Sequence, residues 1–140
     1  MDKVLIDTDI ILDFFFDRKP FSEFAGKVFA MAEVKQIEGF ITPVICANLY
    51  YLLRRNASHE KVIEKLSQLL LIVDVISMDR QTVISALVSD IKDFEDALQN
   101  FAAINQGGIS IILTRNIKDY RKSTLSVMTP ESYLNLKSIS

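Results

Sequence analysis

The stretch VLIDTDIILD, residues 4–13, decides how this chain folds. Val4, Leu5 and Ile6 form a short apolar run, Asp7 interrupts it, and Ile10, Ile11, Phe14 and Phe15 then recur at helical spacing. The reading is strand, turn, helix, with Asp7 and Asp9 at the turn. Burying a carboxylate is costly unless it is paired, so an aspartate at the mouth of an apolar strand needs a reason. Asp7 can cap the helix DIILDFFF, with Asp9 as a carboxylate favoured by its dipole, or it can belong to a site at the strand end.

The same alternation continues downstream. Ser22 is a candidate N-cap for SEFAGKVFAMAEVKQ, in which Phe24, Val28, Met31 and Ala32 form one stripe, and Gly39 precedes a strand at Phe40, Ile41 and Thr42. Pro43 opens the helix VICANLYYLLRR, and Ser58 caps SHEKVIEKLSQLLL. Residues 72–76 read as a third strand, DRQTVISALVS as a short helix, and DFEDALQNFAAINQ as a helix by the spacing of Phe94, Ala97, Leu98, Phe101 and Ala102. After Gly107 and Gly108, SIILT makes a fourth strand, residues 126–128 an edge strand, and Thr129-Pro130 starts a closing helix. Strands alternating with helices predict an α/β fold with a mostly parallel sheet and helices on both faces, as one domain over residues 1–140.

Composition narrows the class. With 140 residues, 49% of them hydrophobic and 24% charged, the chain has material for one globular core. No apolar run approaches the roughly 20 residues of a membrane span, and MDKVLID lacks the features of a signal peptide, so a cytoplasmic protein is expected. Cys46 stands alone, which excludes an internal disulfide, and its apolar neighbours suit a buried, inert thiol. A net charge of -2 supplies no strong basic excess of the kind dedicated nucleic-acid binders carry, leaving only local patches.

In a parallel sheet, ligands bind in the crevice outside the carboxyl ends of the strands. Asp7 ends the first strand, Thr114, Arg115 and Asn116 follow the fourth, and Asp119 comes three residues later. Asp93 and Asp96 share a helix face, where Asp93 also fits an N-cap. Clustered carboxylates repel one another unless a cation intervenes, and oxygen donors without histidine or cysteine suit Mg²⁺ or Mn²⁺. Phosphodiester hydrolysis is the natural chemistry of such a site. Asn116 and Asp119 also fit a simple turn. Asp13, Asp17 and Asp79 read as solvated or capping, His59 as exposed, and the Tyr50-Tyr51 and Phe14–Phe16 runs as core or interface aromatics.

Taken in order, VLIDTDIILD, ITPVICANLYYLLRR, DFEDALQNFAA and IILTRNIKDY resemble the PIN domain (PilT N-terminal domain) of the small bacterial kind, over nearly the whole chain. The resemblance implies a three-layer α/β/α sandwich, an acidic Mg²⁺ or Mn²⁺ site and endoribonuclease activity, often as the toxin of a toxin–antitoxin pair and often as a homodimer. It makes Asp7 the principal metal ligand and Asp96 the third acid of the site. The second acidic position falls at Asn48 and the fourth at Asn116, with Asp119 as a substitute ligand. Two amides in place of acids favour one ion over a pair, because an amide brings an oxygen but no charge. Asp93 and Thr114 take supporting roles, and Arg115, Lys118, Arg121 and Lys122 are candidates to meet RNA phosphates.

Three functions follow: a metal-dependent ribonuclease using Asp7 and Asp96 with Asn48, Asn116 and Asp119; a catalytically silent PIN scaffold that binds RNA or a protein; and a haloacid-dehalogenase-type phosphatase with Asp7 as nucleophile. The last fits poorly, since no lysine motif followed by paired acids comes after a later strand.

Overall fold

The computed structural model describes residues 1–139. Its first elements are β1 (Asp2–Ile6), α1 (Thr8–Phe15), α2 (Phe21–Glu33), β2 (Ile37–Ile41), α3 (Pro43–Arg54) and α4 (His59–Leu69). They are followed by β3 (Val73–Val75), α5 (Arg80–Leu87), α6 (Phe94–Gln106), β4 (Ile111–Leu113), a 3₁₀ turn at Ile117–Tyr120, β5 (Ser126–Met128) and α7 (Pro130–Ile139). The strands form one five-stranded sheet in the order β3-β2-β1-β4-β5, and every neighbouring pair is parallel.

Val4, Leu5 and Ile6 explain the centre of this sheet. Successive strand side chains point to opposite faces, yet all three are 0% exposed, so helices cover β1 on both sides. Such strands read as continuous apolar runs. Leu5 lies between Phe40 of β2 and Ile112 of β4. The chain leaves β1 toward β2 and β3 on one side and returns to β4 and β5 on the other, which makes the β1/β4 junction the switch point where a crevice opens.

Four readings of the sequence shift. Gly39 does not precede β2 but sits inside it, paired with Val4 and Val73. A Cβ there would lie 3.0 Å from Val73 Cγ1 and 3.1 Å from Ile6 Cδ1, so glycine serves close packing rather than a break. Ser22 is not the cap of α2; it is buried within the helix, and its hydroxyl donates to the Asp17 carboxylate at 2.7 Å. Asp13 is not solvated but 0% exposed, because it falls on the inner face of α1 with Ile10. Arg115 satisfies it with two hydrogen bonds, Nε to Oδ2 at 2.7 Å and Nη2 to Oδ1 at 3.0 Å, and Arg18 stands 3.7 Å away. The fourth shift is at Thr42, expected in the second strand: β2 ends at Ile41, and Thr42 caps α3 ahead of Pro43. Other local readings hold: Ser58 and Asp79 cap α4 and α5, and the Thr129 hydroxyl accepts from Ser132 N at the start of α7. Among the described residues no helix is long and apolar enough to cross a membrane.

Candidate functional site

The crevice at the switch point is a cleft of ≈ 480 Å³ whose lining includes Asp7, Asp9, Asn48, Asp93, Glu95, Asp96, Asn116 and Asp119. Four separate parts of the chain meet there, and local structure explains how each arrives.

Asp7 extends the ladder one residue past β1, its N–H donating to the Leu113 carbonyl at 3.0 Å. That bond puts it beside Thr114. The fully buried Thr114 hydroxyl donates to Asp7 Oδ2 at 3.0 Å and the Tyr120 hydroxyl to the same oxygen at 3.2 Å, while Thr8 N donates to Oδ1 at 2.8 Å. Asp7 thus caps the start of α1 and also lines the cleft. A carboxylate offers about four acceptor sites, so three donors leave Oδ1 able to take another partner. Burial pushes the Asp7 pKa up against these donors.

Asp9 lies in the first turn of α1, but its carboxylate serves a distant partner, with Oδ2 accepting from Arg115 N at 2.9 Å. Its Oδ1 is buried without a hydrogen-bond partner in the described structure. Burial first, then the charge of Asp7, raises its pKa to about 6.

The start of α6 brings three more acids. Asp93 is the N-cap, its Oδ1 accepting from Asp96 N at 3.0 Å, so the cap fixes the turn that carries Glu95 and Asp96. Burial, followed by Asp7 and Asp93, raises the Asp96 pKa to about 7. Asp119 adds to that upward push, which ties the 3₁₀ turn to the same electrostatic group.

Asn48 reaches the cleft from α3, where its Nδ2 donates to Glu95 Oε2 at 2.9 Å. Asn116 is exposed, and its side chain makes no capping hydrogen bond at the 3₁₀ turn. Arg115 is close by but committed: its guanidinium is bound to Asp13 and stacked over Phe21 at 4.0 Å from the ring centroid. Lys118, Arg121 and Lys122 instead line a neighbouring groove of ≈ 200 Å³ with Lys92, Asp93 and Asp119.

Sequence reasoning missed Glu95, Tyr120, Arg18 and Arg55. Glu95 was legible as the third acid of one first turn, and Tyr120 as a tyrosine next to Asp119; the two arginines carry no local signal.

Oxygen donors alone, on carboxyls whose pKa values are raised by burial first and by neighbouring carboxylates second, fit a hard divalent cation better than any soft metal. Among the described residues no three carboxylates are drawn together closely enough to enclose an ion by themselves.

A family model described as PIN domain matches residues 3–118, which takes in the whole cleft apart from Asp119 and leaves out β5 and α7. Solved structures give the same fold. The chain is similar to VapBC2 of Rickettsia felis bound to a DNA fragment from its promoter, with TM-score 0.67 and 17% identity over 89% of this chain and 96% of that one. It is similar to VapC20 of Mycobacterium tuberculosis, a Sarcin-Ricin loop cleaving toxin, with TM-score 0.63 and 15% identity over 88% and 98%. A toxin–antitoxin complex from Klebsiella pneumoniae gives TM-score 0.66 and 19% identity over 91% and 97%. No curated protein matches the chain in sequence.

Proposed function

The chain belongs to the PIN domain family, and on that premise we propose that it is a Mg²⁺- or Mn²⁺-dependent endoribonuclease, the toxin of a toxin–antitoxin pair. The observation that carries this reading is the convergence of Asp7, Asp93, Asp96 and Asp119 on one cleft, close enough for Asp7, Asp93 and Asp119 each to raise the Asp96 pKa.

Asp7 and Asp96 would hold the ion, with Asp119, Asn48 and Asn116 turned toward its water shell. When bound, the cation supplies a water of lowered pKa and offsets charge that grows on a phosphate. The chain does the rest. Thr114 and Tyr120 fix the Asp7 rotamer through Oδ2 and leave Oδ1 available. Asp93 holds the first turn of α6, so Asp96 rises from a rigid base. Arg18 and Arg55 on the cleft, with Lys118, Arg121 and Lys122 on the adjoining groove, give an acidic centre the cationic flanks that a polyanion requires. RNA is the substrate class that the Mycobacterium relative supports, and a protein antitoxin is the partner that the Klebsiella complex supports. A homodimer goes with this reading.

Asn48 and Asn116 favour a second reading, a PIN scaffold without catalysis. One experiment separates the two. Mn²⁺ is titrated by calorimetry into metal-free wild type, Asp7→Asn and Asp96→Asn, and RNA cleavage is followed on the same samples. Binding and cleavage in the wild type that both variants lose support the nuclease. A wild type that neither binds nor cleaves supports the silent scaffold, and variants as active as wild type refute the assignment of these aspartates.

A further inference from the structure

We infer that Glu95 supplies to this site the carboxylate that α3 lacks, held in place by Asn48. The inference rests on the metal-dependent reading above and concerns which side chain carries the charge on the α3 wall of the cleft.

Helix α3 contains no acidic residue, and what it gives the cleft is Asn48, Tyr51 and Leu52. Glu95 rises from the first turn of α6 on the other side and is exposed. A solvent-exposed glutamate usually keeps its rotamer freedom. This one is tethered instead, its Oε2 accepting from Asn48 Nδ2 at 2.9 Å across 47 positions of sequence.

The identity of the tether matters. Arg18 and Arg55 line the same cleft, and a guanidinium on Glu95 would cancel its charge. An amide donates one hydrogen bond and carries no charge, so it orients the carboxylate while leaving the full negative charge for a cation. Oε1 and the second lone pair of Oε2 stay open. Asn48→Glu would put a second carboxylate where the amide now donates, and like charges there repel. Asn48 and Glu95 thus behave as one unit in which charge and amide have exchanged helices: the charge is on α6, and the amide that positions it is on α3.

The test reads metal affinity, not turnover. Mn²⁺ is titrated calorimetrically into metal-free wild type, Asp7→Asn, Glu95→Gln and the double variant Asn48→Glu/Glu95→Gln, and thermal unfolding without metal checks that each is folded. Glu95→Gln keeps the hydrogen-bonding shape but loses the charge, and its Mn²⁺ affinity falls about 10- to 100-fold. The double variant moves the charge back across the same hydrogen bond and recovers wild-type affinity to within about threefold. Wild-type affinity in Glu95→Gln, together with lost binding in Asp7→Asn, overturns this inference and leaves the metal-dependent reading intact. A double variant as weak as Glu95→Gln overturns the exchange between helices. A wild type that binds no Mn²⁺ removes both readings.

Discussion

Arg115→Met tests whether the buried ion pair under the site holds the fold together. Asp13 is 0% exposed, and Arg115 gives it hydrogen bonds of 2.7 and 3.0 Å. Removing one partner of such a pair leaves an uncompensated buried charge and costs about 3–5 kcal/mol. Arg18, 3.7 Å from Asp13 Oδ1, remains and can close in. That compensation is worth about 1 kcal/mol, as for a single partly exposed charged contact, so the net loss is about 3 kcal/mol at pH 7. Methionine keeps apolar contact with Phe21, so lost packing adds little. Urea unfolding at constant m-value measures the difference as a shift in midpoint. A control sharpens it: Asp13→Leu/Arg115→Met recovers most of the stability because an apolar pair has no charge to desolvate. A loss below about 1 kcal/mol at pH 7 would refute the reasoning and return Arg115 to the candidates for RNA contact.

Three further outcomes follow from the same geometry. Asp9 and Asp96 have native pKa values of about 6 and about 7 against an unfolded 3.8, so the native state binds more protons in between. Their contribution to the stability of metal-free protein is fully present below about pH 4 and is lost as pH rises through 6 and 7; urea midpoints of wild type and Asp96→Asn at pH 5 and 7.5 check this, and a difference that does not grow with pH contradicts it. Gly39→Val drives a branched side chain into Val73 and Ile6, where even a Cβ stands at 3.0 and 3.1 Å, and destabilises by about 1–3 kcal/mol in urea, whereas an unchanged midpoint means that β2 and β3 can part. Tyr120→Phe removes one of the three donors to Asp7 and costs about 1 kcal/mol in the same assay, with no change counting against the hydrogen bond at 3.2 Å.

The sheet was legible because β1 announces itself: three consecutive apolar residues followed by a helical repeat leave only the centre of a parallel sheet as their place. Caps at Ser58, Thr129 and Asp93 were legible for the same local reason, since a cap acts within three residues of itself. Gly39 and Ser22 were misread because their roles are set by neighbours far away in sequence. Gly39 yields to Val73 and Ile6, and Ser22 is drawn inward by Asp17 as α2 packs. Local propensity placed a break and a cap there, and tertiary packing placed a strand and a helix interior.

The candidate site divides along the same line. Asp7, Asp93, Asp96 and Asp119 each stand at the end of a strand, the start of a helix or a turn, where topology alone sends them to one edge. Asp13 and Glu95 carry equal charge but answer to partners 102 and 47 positions away. Even so, Asp13 held a readable clue. It follows Ile10 by three residues, in phase with a stripe that had to face the core, and a carboxylate on such a stripe requires a cation. In a parallel sheet that cation comes most directly from the loop after the adjacent strand, which here is Arg115 after β4. Helical phase, applied to charged residues as strictly as to apolar ones, therefore turns an acidic residue into a statement about which distant loop packs against it.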